Sequence, residues 1–107
     1  MTIVYIAHPI SGDIEANLAD IRRIVRKINM ENPDYVPLVP YYADIVSLDD
    51  TIPEERARGI ANGIAVINSG LIEEVWLTGN RLSSGMYEEA ELAKSLNIAV
   101  MDYINKL

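Results

Sequence analysis

The chain has 107 residues, half of them apolar, with charged residues interspersed, which is enough for one hydrophobic core, too few for two, and incompatible with a disordered chain. Sixteen acidic residues against nine basic ones give a net charge of −7, a poor match for a nucleic-acid backbone, whose binding depends on replacing counterions by Lys and Arg. The absence of cysteine removes disulfides, thiolate catalysis and cysteine-ligated metals, and the single histidine, His8, leaves no basis for a histidine-rich metal site.

The N-terminus MTIVYIAHP has no basic segment ahead of an apolar stretch, and no apolar run approaches the roughly 18 residues of a membrane span. A cytoplasmic protein that does not enter a membrane is expected. Residues 2–7 (TIVYIA) are an apolar, β-branched run ended by His8-Pro9, the pattern of a first strand. From Asp13 to about Met30, the apolar residues Ile14, Leu18, Ile21, Val25 and Ile28 recur every three or four positions and form one face of a helix. Asn32-Pro33-Asp34 breaks it. Arg22, Arg23, Arg26 and Lys27, four of the nine basic residues, crowd this helix and read as a solvated outer face balancing the acidic remainder.

YVPLVP (35–40) is a second strand, whose two prolines suit a sheet margin. YYADIVSLDD reads as a loop with a helical turn, its Asp49-Asp50 pair placed to cap the next helix. Thr51, Pro53 and Glu54 have the spacing of a capping box opening that helix, which runs to about Asn68. LIEEVWLTG (71–79) is a third strand, Gly85 to Leu96 a third long helix, and NIAVMDY (97–103) a fourth strand. The alternation predicts one domain over 1–107, a parallel sheet in the order 2-1-3-4 with helices on both faces. Ligands in such sheets bind beyond the carboxyl ends of the strands, which makes the loops 8–12, 40–50 and 79–85 the rim of any pocket.

AHPISGD lies on that rim. Ser11, Gly12 and nearby amides could cradle a phosphate, or Asp13 or Ser11 could simply cap the helix; the segment is neither a Walker loop nor GxGxxG. His8 is either a loop residue or a contact to a base or sugar. Tyr5, Tyr41, Tyr42 and Tyr87 could wall a ring ligand, with core packing the plainer reading for Tyr5. In GNRLSSGMYEEAELAKSLNIAV (79–100), Ser83, Ser84 and Gly85 stand at a helix start, where unpaired amides and partial positive charge suit a phosphate, a reactive carboxylate or no ligand at all. Met86, Ala90, Ala93 and Leu96 mark the buried stripe of that helix. Glu89, beside the stripe, can face the sheet edge while Glu88 or Glu91 faces water. A carboxylate so placed could attack an anomeric carbon.

VYIAHPISGD and SSGMYEEAELAKSLNIAV, with PYYADIVSLDD and PEERARGI between them, resemble the nucleoside 2-deoxyribosyltransferase-like superfamily over essentially the whole chain. That superfamily includes transferases and 2′-deoxynucleoside 5′-phosphate N-hydrolases, and the resemblance is nearest to its small bacterial and phage members. It implies a flavodoxin-like three-layer α/β/α fold and cleavage of the base–sugar bond of a (deoxy)nucleoside 5′-monophosphate, by an N-glycosidase or deoxyribosyltransferase-like enzyme. It implies no metal or organic cofactor, a nucleotide or nucleoside rather than a nucleic-acid polymer as partner, and a homo-oligomer in which a neighbouring subunit completes the pocket. By the same resemblance Glu89 is the nucleophile. Ser83, where nucleoside-using members carry an aspartate, implies a phosphorylated ligand. Tyr5, His8, Pro9, Ser11, Gly12, Asn62, Asn80, Ser83, Ser84, Gly85 and Met86 make up the implied substrate-binding set.

Three departures stand out. The 8–13 loop lacks the arginine that phosphate-binding members use, Ala61-Asn62-Gly63 has Gly63 where close relatives carry an aspartate that helps protonate the leaving base, and Asn80 replaces another aspartate. These departures favour an alternative: a non-catalytic protein that binds or sequesters a nucleotide or nucleotide-derived signal on the same fold.

Overall fold

A computed structural model describes residues 1–107. The elements run β1 (Thr2–Ala7), α1 (Ile14–Glu31), β2 (Tyr35–Leu38), α2 (Tyr41–Ser47), α3 (Pro53–Ile67), β3 (Glu74–Leu77), α4 (Ser84–Ser95) and β4 (Ala99–Asp102). The four strands are all parallel and ordered β2-β1-β3-β4, as the alternation predicts. Each crossover carries at least one helix, the connection a parallel pair requires.

β1 is central, and its last four residues are buried on both faces. Tyr5 and Ala7 share one face with Val75 and Leu77 of β3, packed under Ile67 of α3 and Met86, Ala90 and Ala93 of α4. Val4 and Ile6 share the other face with Trp76, packed under Ile24 and Ile28 of α1. A period of two in the strands thus splits the core into two layers, and three-layer α/β/α architecture results. β2 lies at the sheet edge, where Pro37, opposite Val4, gives up a backbone donor at little cost. No helix is long and apolar enough to cross a membrane.

Three local expectations change. Residues 41–47 form a complete short helix, α2, because Tyr41 is anchored from outside the segment: its ring packs 5.8 Å from that of Tyr5 and its hydroxyl donates to the Ile6 carbonyl at 2.5 Å. Seven residues are too few for such a helix to stand on its own periodicity. No capping box forms at Thr51, whose amide and hydroxyl both donate to Asp49 Oδ1, at 2.9 and 2.6 Å, while Glu55 accepts from the Asp49 amide. Asp49 therefore closes a side-chain turn of its own, and α3 starts on Ile52 and Pro53 with no side-chain cap. β3 is shorter than the 71–79 run, since the ladder ends where Gly79, at φ +85°, turns the chain.

Candidate active site

The chain diverges at the carboxyl ends of β1 and β3: β1 leads to α1 on one face, β3 to α4 on the other. Such a switch point leaves a crevice. A cavity of about 930 Å³ opens there, bounded by the 8–14 loop, α2, the 47–51 turn, α3 and the first turns of α4.

Glu89 and Tyr5 meet in its wall. Tyr5 is buried in β1, and its hydroxyl donates to Glu89 Oε2. Burial pushes the Glu89 carboxyl up to about 7, the Tyr5 hydrogen bond pulls it back down, and the neighbouring Glu88 charge adds to the rise. Burial, reinforced by the Glu89 charge, likewise holds the Tyr5 phenol far above its ordinary range, and Tyr41 follows for the same reasons. Tyr5 is consequently a fixed donor, and Glu89 is an acid poised to change charge near neutrality. Gly63 of α3 is buried opposite, where an added Cβ would come 3.5 Å from the Tyr5 oxygen. Asp44, half-buried on α2, also lines the cavity; its Oδ1 accepts from Asn62 Nδ2 at 3.2 Å, and its charge contributes to the Tyr5 rise.

The β1 end is locked by His8, which is buried with Nε2 2.7 Å from Asp20 Oδ2 and Nδ1 2.7 Å from the Pro9 carbonyl. Although burial alone would raise Asp20, the His8 and Arg23 hydrogen bonds hold its carboxyl below the usual carboxylate range. Gly79 presses against this lock. A Cβ there would lie 2.7 Å from Pro9 Cδ and 3.2 Å from His8 Nε2, and the positive φ independently favours glycine. Thr78 completes the junction by donating from both its amide and its hydroxyl to the Ala7 carbonyl.

At the start of α4, Ser83 is the N-cap: its Oγ accepts from the Met86 amide at 3.2 Å, while its own amide donates to Met86 Sδ at 3.5 Å. Ser84 and Gly85 come next on the cavity rim, in the first turn, where backbone amides have no partner within the helix. Arg81 arrives from the β3–α4 loop and donates to the Ser11 carbonyl at 3.3 Å.

Of the residues singled out from the sequence, Tyr5, His8, Ser11, Ser84, Gly85, Met86 and Glu89 line the cavity together. Pro9 is buried behind it, Gly12 and Asn80 are exposed away from its lining, Ser83 is engaged as a cap, and Asn62 reaches the site only through Asp44. Asp44, Asp20 and Arg81 were not visible as site residues. Asp44 sits in the segment read as a loop, Asp20 is 12 positions from the histidine it holds, and Arg81 lies 70 positions from Ser11, so no local pattern joins either pair.

Residues 2–103 match the model of a family described as a domain of unknown function (DUF7768). No curated protein matches the chain.

Proposed function

This chain belongs to the DUF7768 family, and we propose that it is an N-glycosidase or deoxyribosyltransferase-like enzyme acting on a (deoxy)nucleoside 5′-monophosphate. The observation that carries the reading is Glu89, a largely buried carboxyl on the wall of a nucleotide-sized cavity, oriented by the hydroxyl of Tyr5. In its charged form Glu89 attacks the anomeric carbon, and the bond to the base breaks with its electron pair leaving on the base. The departing base takes up a proton, and water or a second base then displaces Glu89 from the sugar. Gly63 has no side chain to supply that proton, which leaves water or another carboxyl of the cavity lining, Asp44 among them, to deliver it. No step requires a metal or an organic cofactor.

A phosphorylated ligand is supported by the Ser84 and Gly85 amides, the partial positive charge of the α4 start, and Arg81 beside Ser11. Arg81, outside the lining but bonded to the Ser11 carbonyl on its rim, is the cation we assign in place of the arginine that the 8–13 segment lacks. The rest of the rim is acidic, with Asp49, Asp50, Glu55 and Glu88 against Arg56, so a phosphate has one end of the cavity where it can sit. The half-exposed Ile60 and Ile64 on the cavity side of α3 favour a homo-oligomer in which a second copy closes the opening. A cytoplasmic location goes with a nucleotide ligand.

A second reading, nucleotide binding without turnover, is favoured by the missing carboxylates at Gly63 and Asn80. Calorimetric binding and base release, measured over a panel of nucleosides and 5′-monophosphates, separate the two. Release of free base that disappears in Glu89→Gln supports the enzyme, saturable binding without release supports the sequestering protein, and neither activity overturns both.

A further inference from the structure

A second concavity lies between α1 and the edge strand β2, with Tyr42 of α2 at its end. Its volume is about 430 Å³, within the range of small-molecule sites, and it shares no residue with the Glu89 cavity. Val25, Pro37 and Val39 form an apolar floor, and Arg22 and Arg26 stand along one side of it. Four residues apart on a helix, the two guanidinium groups emerge on one face about 6 Å apart along the axis. The Arg22 Nη1 donates to the Tyr42 hydroxyl at 3.0 Å, which fixes one of the two forks at the end of the groove.

These cations are unpaired in a chain with a large acidic excess. Its ion pairs join His8 and Arg23 to Asp20 and Lys94 to Glu91, and no carboxylate comes within ion-pairing distance of Arg22 or Arg26. A solvated outer face accounts for exposed arginines but not for two of them flanking an apolar trough. Guanidinium forks match the oxygens of a carboxylate or phosphate, and the trough beside them accepts hydrocarbon. An added peptide strand fits less well, because β2 is four residues long and Pro37 lacks a backbone donor.

We propose that this groove is a second binding site, for an amphipathic anion: a carboxylate or phosphate ester bearing an apolar chain or ring. Octanoate and phenyl phosphate are suitable probes, titrated into the full chain while backbone amide shifts are followed by NMR, with 1-octanol and inorganic phosphate as half-ligand controls. At least one of the two anions shifts the amides of Val25, Arg26, Val39 and Tyr42 saturably, with a Kd at or below about 1 mM, and both controls bind at least about tenfold more weakly. Whichever anion binds better identifies the preferred pairing of head group and apolar part. Arg22→Ala with Arg26→Ala weakens the response at least about tenfold while thermal unfolding stays unchanged, and Arg58→Ala, an exposed arginine elsewhere, leaves it intact. Glu89→Gln also leaves it intact, which keeps this site separate from the proposed enzyme activity. Shifts that persist in the double variant, an equal response to inorganic phosphate, meaning an adventitious ion only, or no saturable shift with either anion overturns the proposal.

Discussion

Glu89 shows how one buried side chain makes the protein sensitive to pH. Its folded value of about 7 lies above the ordinary 4.5, so the folded chain holds a proton that the unfolded chain releases between those values. The associated stability is complete below about pH 4.5 and is lost as the pH rises through about 7. Glu89→Gln, which mimics the protonated form, is expected to raise unfolding free energy at pH 8 by up to about 3 kcal/mol and to change it little at pH 4, as read by urea titration. If Glu89 is the nucleophile proposed above, base release should rise with pH through about 7 as it ionises, and Tyr5→Phe should move that limb upward by removing the hydrogen bond that favours the charged form. Gly63→Asp would bring a second carboxyl near the Tyr5 hydroxyl; like charge pushes Glu89 further up and shifts the pH limb upward, and if that carboxyl faces the leaving base it also supplies the missing proton, so base release above the limb should rise. Gly79→Ala combines a left-handed residue with a collision against Pro9, and is expected to cost about 2–4 kcal/mol in equilibrium unfolding.

At the scale of elements, the start of α4 performs two tasks with different residues. Ser83 secures the helix, since its oxygen already accepts from Met86, so Ser83→Ala should lower stability by about 1 kcal/mol whether or not a ligand is present. The Ser84 and Gly85 amides lie on the cavity rim, and Arg81, held to the Ser11 carbonyl outside the lining, is the cation proposed to reach the phosphate. Arg81→Ala should weaken 5′-monophosphate binding by about 1–2 kcal/mol and leave nucleosides unaffected, a difference that paired calorimetric titrations resolve directly. α2 is the converse case, an element made by its neighbours. Its Tyr41 bond to the β1 carbonyl and the tilted packing of its ring against Tyr5 hold Asp44 against the cavity, so a helix with almost no independent stability still positions a carboxyl.

For the molecule as a whole, the cavity rim includes the exposed apolar side chains Ile60 and Ile64 of α3. If a second copy covers these side chains, Ile64→Asp should convert the assembly to monomers in sedimentation velocity and depress base release with it, because a buried charge in an apolar contact is strongly unfavourable. A wild-type monomer at working concentration would remove the oligomer from the proposal while leaving the Glu89 chemistry to be judged by turnover.

The sequence alone determined the strand order and the two-faced sheet, because hydrophobic period and right-handed crossovers are local or topological rules that need no knowledge of distant contacts. It also marked Glu89, through the helical stripe of Met86, Ala90 and Ala93, and the rim formed by the loops after β1 and β3. Only the tertiary structure decided what those loops hold. The Tyr5–Glu89 hydrogen bond spans 84 positions, and the pairing of His8 with Asp20, the arrival of Arg81 at Ser11 and the formation of α2 each depend on a partner supplied by another part of the chain. Likewise, the arginines of α1 read as a solvated face until β2 is set beside them, because a groove belongs to two elements and neither sequence segment contains it. Periodicity reports which way a side chain points; what it meets there is fixed by packing, and with it the pKa of Glu89 and the chemistry of the site.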